Sequence, residues 1–121
     1  MNTLAHIRPT LLELHRTLLD AARGDYERNR GRLRDTEFLA ALVDEAEFAW
    51  LQPLTALVAR VDQAFADEAP GKGPGDLVAG LRALLASDGT SPDFQRKYAD
   101  ILQRSPDALV AHVRTLRALQ A

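Results

Sequence analysis

The chain predicts an all-α fold: a compact bundle of five to six helices forming a single helical domain over residues 1–121. Three observations carry that reading. Apolar side chains recur at spacings of three and four through most of the sequence, the mark of helices with one buried face. Ala and Leu each occur 20 times, Val and Ile together 8 times, and aromatics make up 6%, a composition that favours helix over sheet. With 121 residues, 46% hydrophobic and 26% charged, the chain can close one core and has too much apolar surface to stay disordered.

The first helix spans about residues 3–29. Leu4, Ile7, Leu11, Leu14, Leu18 and Ala21 form its buried face, and Leu12, Leu19 and Ala22 widen it. Pro9 falls inside this pattern and lacks the N–H that a helix interior needs, so the helix either begins near Arg8 or bends there, and a start near Pro9 after a looser turn is the preferred reading. Gly24 weakens the far end and Gly31 stops it.

A second helical stretch opens at Asp35 or Thr36, either of which can cap it, with Phe38, Leu39, Leu42 and Val43 as its apolar side. Asp44 and Glu47 stand as in a capping box, which leaves two readings open. One has a short helix 36–43 followed by a long one 45–66; the other is unbroken from 36 to 66. Phe48, Leu51, Leu54, Val58, Val61 and Phe65 make the heaviest apolar stripe, broadened by Trp50, Leu57 and Ala64, so this segment is placed centrally. Pro53 is expected to kink it and to free the carbonyl of Ala49.

Residues 67–76, with five Gly or Pro in ten positions, read as a Gly/Pro-rich loop. Leu77, Val78, Leu81, Leu84 and Leu85 give a short helix that ends at Ser87-Asp88-Gly89. Ser91-Pro92 and Ser105-Pro106 start the last two helices, with Ser as cap and Pro in the first turn, where its missing N–H costs nothing. Leu109, Val110, Val113 and Leu116 are the expected inner face of the final helix.

The net charge of -2 is distributed unevenly. Residues 1–35 hold 7 basic and 5 acidic side chains, residues 36–70 hold 1 and 7, and residues 71–121 hold 7 and 5. In a bundle these segments lie side by side, so internal charge complementarity is the plainest reading. No net basic face emerges, and nucleic acid is not an expected partner. The longest uncharged run, residues 48–59, is too short to span a membrane, and the N-terminus lacks a secretory pattern. A soluble, cytoplasmic protein is expected. Thirteen Arg against two Lys, with abundant Ala, suggests a GC-rich bacterial genome.

Candidate chemistry is sparse. There is no Cys, which removes thiol nucleophiles and thiolate metal sites. No acidic residue has His three positions later, as di-iron bundles require; His6 and His15 lie half a turn out of phase and His112 sits alone, so no metal site and no cofactor are expected. Ser87, Ser91 and Ser105 are explained as turn or cap residues, and no catalytic residue is assigned. Pro70-Gly71-Lys72-Gly73-Pro74-Gly75 has the flavour of a phosphate loop but lacks the preceding strand and the Ser or Thr after Lys. Two groups remain. Phe48, Trp50 and Pro53 could line a small-molecule pocket at the proline, or simply be core. Arg28, Arg30, Arg32 and Arg34, with Arg23 before them and Asp44 and Glu47 after, form a charged surface. It either holds phosphate or an acidic partner, or balances the acidic run internally. Tyr26 is expected to reach the bundle rim.

Phe48-Ala49-Trp50-Leu51-Gln52-Pro53-Leu54-Thr55-Ala56-Leu57 followed by Arg60-Val61-Asp62, together with His15-Arg16-Thr17-Leu18-Leu19 and Asp25-Tyr26-Glu27, resembles stretches in a family of small all-helical bacterial proteins of unassigned function. The resemblance implies a helical fold and no activity, and it carries over no functional residue.

Apolar faces and charge segregation without a reactive constellation point to a noncatalytic protein-interaction or self-association module, with a protein partner or homo-oligomer. A small apolar ligand-binding protein and an enzyme with an unrecognised site are the alternatives.

Overall fold

A computed structural model describes residues 3–67, 74–86 and 92–120. Six α-helices and one 3-10 segment make up the regular structure among them: α1 (Thr3–Arg30), α2 (Asp35–Asp44), the 3-10 segment (Ala46–Leu51), α3 (Gln52–Asp67), α4 (Pro74–Leu85), α5 (Pro92–Arg104) and α6 (Pro106–Gln120). They form one all-α bundle. Helices α1, α3, α4 and α6 neighbour one another in a closed ring, in which the α1–α6 pairing is the most extensive. Helix α5 packs across α1, α4, α6 and the 3-10 segment, while α2 leans chiefly on the 3-10 segment.

Helix α1 supplies the deepest ridge. Ile7, Leu11, Leu14 and Leu18 are completely buried, and Ala22 extends the row. The helix runs through Pro9 instead of starting there. A proline inside a helix costs about 3 kcal/mol, whereas burying Ile7 and Leu11 on either side contributes about 1.5–3 kcal/mol each. The Thr10 hydroxyl also donates to the Ile7 carbonyl at 2.8 Å. At the far end Gly31 adopts φ 91° and its N–H donates to the Glu27 carbonyl at 2.9 Å, closing the helix as its sequence position predicts.

Helix α6 reverses the expected orientation. Its buried residues are Ala108, Ala111, Thr115, Ala118 and Leu119, with Leu116 half-buried. Leu109, Val110 and Val113 are 47%, 49% and 39% exposed. The cause lies opposite: α1 already fills the interface with leucines, so close approach requires small side chains from α6. The Thr115 hydroxyl is satisfied by the Ala111 carbonyl at 2.8 Å. Helix α2 keeps half of its expected face. Phe38 and Ala41 are buried and Leu42 is half-buried, but Leu39 and Val43 are 63% and 81% exposed.

The chain does break after Asp44, though without the expected cap. Asp44 is the last residue of α2, Glu45 is extended, and no side-chain cap bond forms there. At the start of α2 the capping residue is Arg34, not Asp35 or Thr36, and its N–H donates to Glu37 Oε1 at 2.9 Å. Ser105 Oγ accepts from the Ala108 N–H at 3.2 Å, the cap its Ser-Pro pair predicts. Asp67 closes α3 and Pro74 opens α4. The loop residues 68–73, with the first part of the phosphate-loop-like run, lie outside the described residues. So do the 87–89 turn and the Ser91 cap.

Candidate functional site

A groove runs between the 3-10 segment and α5. Three residues per turn make side chains at i and i+3 eclipse. Phe48 and Leu51 therefore share the buried side, while Glu47 and Trp50 share a side that faces α5. The groove comprises two adjoining clefts that have Glu47, Trp50 and Lys97 in common. One, of about 260 Å³, is walled by Asp25, Arg28, Asp100 and Arg104. The other, of about 470 Å³, is walled by Ala49, Pro53, Phe94 and Arg96. Trp50 is half-buried and its ring lies 5.9 Å from that of Phe94, which stacks at 5.1 Å on Tyr98.

Of the residues expected to form a pocket, Trp50 and Pro53 do line this groove, and Phe48 does not. Phe48 is 1% exposed, stacked on Tyr26 at 5.3 Å and edge-on to Phe38 at 5.6 Å. Nor does Pro53 kink a helix. Helix α3 begins at Gln52, which puts Pro53 in the first turn, where no N–H is needed. The Ala49 carbonyl is not freed either, because the Gln52 N–H donates to it.

The charged surface disperses into local pairs. Arg28 pairs with Asp25 within its own helix. Arg30 reaches Glu45 at 3.7 Å and lies over the Tyr26 ring at 5.4 Å, linking the arginine cluster to the acidic run. Arg32 lends positive potential to Glu27, whose carboxylate also accepts the Leu33 N–H at 2.8 Å and is held below its ordinary pKa chiefly by that bond. Arg34 contributes its backbone N–H to Glu37, Asp44 is exposed at the end of α2, and Glu47 faces the groove.

Several contacts escape sequence reasoning because they join distant segments. Arg104 grips Asp25 with two nitrogens at 3.2 and 3.0 Å and also holds Asp100 at 2.9 Å, tying α5 to α1. Arg23 meets Asp35 at 3.0 Å and Glu27 at 3.5 Å, donates to the Leu33 carbonyl, and lies 4.9 Å over the Phe38 ring. Tyr98 and His112 share a hydrogen bond between α5 and α6. Burial pushes the Tyr98 hydroxyl up and the His112 ring down, so a neutral phenol bonds a neutral imidazole. His15 bonds Thr55 at 3.0 Å and burial lowers its pKa as well. These three side chains are spent on packing between helices. No group of three His, Asp or Glu gathers as metal ligands among the described residues, and none of their helices is long and apolar enough to cross a membrane.

The outward side of α6 borders a second groove against α1, lined by Leu12, Glu13, Arg16, Asp107, Val110 and Arg114 among others. Glu13 and Arg114 face each other across it at 3.6 Å. Comparison of the chain with family models, with curated proteins and with solved structures finds no match.

Proposed function

We propose that this chain is a noncatalytic protein-interaction or self-association module, with the outward sides of α6 and α2 as its docking faces. One observation carries this reading. Both helices turn large apolar side chains to solvent: Leu109, Val110 and Val113 of α6 are outside while Ala108, Ala111, Thr115, Ala118 and Leu119 are inside, and Leu39 and Val43 of α2 are outside while Phe38 and Ala41 are inside. Scattered exposed leucines are ordinary on a protein surface; apolar side chains one turn apart on the same helix face are the pattern of a contact surface. A photo-crosslinking residue placed at Leu39 or Val113, activated in the cells the protein comes from, tests it. Defined protein adducts from either position support docking. Labelling by solvent alone at both positions refutes it.

A second reading rests on the groove at Trp50. The indole face, Pro53 and Phe94 offer apolar contact, and Lys97 and Glu47 stand beside them, so a small ligand with an apolar body fits there. Trp50 is the chain's one tryptophan, and its emission reports binding directly. An emission spectrum that no apolar metabolite shifts or quenches would retire this alternative.

A further inference from the structure

We infer that the occupant of the α6 face is a second copy of this chain, seated antiparallel about a two-fold axis near His112. The inference rests on the docking reading above and adds the partner and the register. It comes from the order of charge along one stripe. Asp107, Val110, Arg114 and Arg117 follow at steps of three, four and three, so they share one side of α6 beside the exposed Leu109 and Val113. The acid stands at the start of this stripe and the bases at its end. Arg114 is engaged by Glu13 on α1, whereas neither Asp107 nor Arg117 has an ion-pair partner among the described residues.

Such an order is complementary to its own reversal. A two-fold axis near position 112 sets Asp107 of one copy against Arg117 of the other, twice, and brings Val110 and Val113 of both copies to the centre. An isologous contact of this kind needs one patch to match itself. Parallel pairing would instead set Asp107 against Asp107 and Arg117 against Arg117. Helix α2 fails the same test. Its exposed Leu39 and Val43 lie between Asp35 and Glu37 at one end and Asp44 at the other, with no base in its last turn. Two copies of α2 would bring acid to acid in either direction. Opposed charges across an interface fix register and orientation more than they add affinity, which is the role assigned to Asp107 and Arg117 here.

The experiment is sedimentation equilibrium on the purified full chain over a wide concentration range, with circular dichroism confirming that each variant is folded. The wild type is expected to associate reversibly to a dimer. Val113→Asp, at a solvent-facing position, should weaken the dimer at least about 10-fold by setting two carboxylates at the axis. Asp107→Lys and Arg117→Glu should each weaken it about 2- to 20-fold, since each removes two symmetric pairs and adds two repulsions. The double variant Asp107→Lys/Arg117→Glu should recover most of the loss, because the pairs re-form with signs exchanged. Any harm done to the helix dipole is common to the single and double variants, so it cannot mimic the recovery.

A chain monomeric to about 0.5 mM overturns the inference, as does a dimer that Val113→Asp leaves intact and Leu39→Asp dissolves. A dimer weakened by Val113→Asp but not recovered by the charge exchange also overturns it. Crosslinks from position 113 to a different protein, with the purified chain monomeric, would refute the second copy and leave the docking reading standing.

Discussion

Helices α1 and α2 are built on opposite terms, although they are consecutive in the chain. Helix α1 has 28 residues and a row of four completely buried apolar side chains, and it packs against α3, α5 and α6. Helix α2 has 10 residues, of which Phe38 and Ala41 are buried, and it packs chiefly against the 3-10 segment. A helix of that length is marginal by itself. Local devices support it: the Glu37 carboxylate on the Arg34 N–H, and Arg23 reaching from α1 to Asp35 and over Phe38. Tertiary burial makes α1 tolerant of an internal proline. Helix α2 depends on its caps and on Phe38, and leaves Leu39 and Val43 outside.

The contrast can be broken most forcefully at Leu14. Leu14→Ala empties a completely buried site in α1 and should lower stability by about 2–5 kcal/mol in urea denaturation. A loss below about 1 kcal/mol would mean that the α1 ridge is loosely packed.

Acid should act next, and on the α1 side of the comparison. His15 joins α1 to α3 and His112 joins α6 to α5, and both have pKa values lowered by burial from 6.5. As pH falls through 6.5 the unfolded chain takes up protons that the folded rings resist. Their contribution is therefore complete above about pH 6.5 and is lost as the pH falls toward the folded values. The urea midpoint should drop between pH 7.5 and 5.5, and His112→Gln with His15→Gln should flatten that slope. An unchanged slope in the double variant would assign the acid response to other groups.

Smaller effects sharpen the distinction. Gly24 sits inside α1, and an added Cβ would find Arg28 Nη1 at 3.8 Å, an ordinary contact. Gly24→Ala should therefore stabilise the protein by about 0.5–1 kcal/mol, read as a rise in the thermal midpoint. Val43→Thr, at an exposed position in α2, should change stability by less than about 0.5 kcal/mol. A larger loss in the purified chain would show that Val43 is covered in solution.

Much of this fold is legible in the residues themselves. The α1 face follows from the three-and-four spacing of Ile7, Leu11, Leu14 and Leu18, and the stop at Gly31 follows from the need for positive φ. Starts at Pro92 and Pro106 follow from proline's fit to a first turn, whereas Pro74, read as part of the loop 67–76, opens α4. The inner face of α6 is not legible, because periodicity reveals apolar positions without revealing what lies opposite. Leu109, Val110 and Val113 read as core until the leucines of α1 are known to fill that space. Pro9 and Pro53 mislead in opposite ways: burial carries a helix through the first, and a new helix begins just before the second. At the groove, Trp50 and Pro53 stand out in the sequence. The opposite wall of Phe94 and Lys97 lies more than 40 positions away, and no local rule joins the two.

The location of Trp50 gives the protein an internal optical probe with a narrow field of view. Its indole, carried by the 3-10 segment, lies against Phe94 of α5 in the groove bordered by the last turns of α1, and no other tryptophan adds to its emission. Fluorescence during unfolding will report that corner, while ellipticity at helical wavelengths averages over every coil. If the corner loosens before the ridge, the two melting curves will separate, and the gap between their midpoints will measure how independently the corner comes apart.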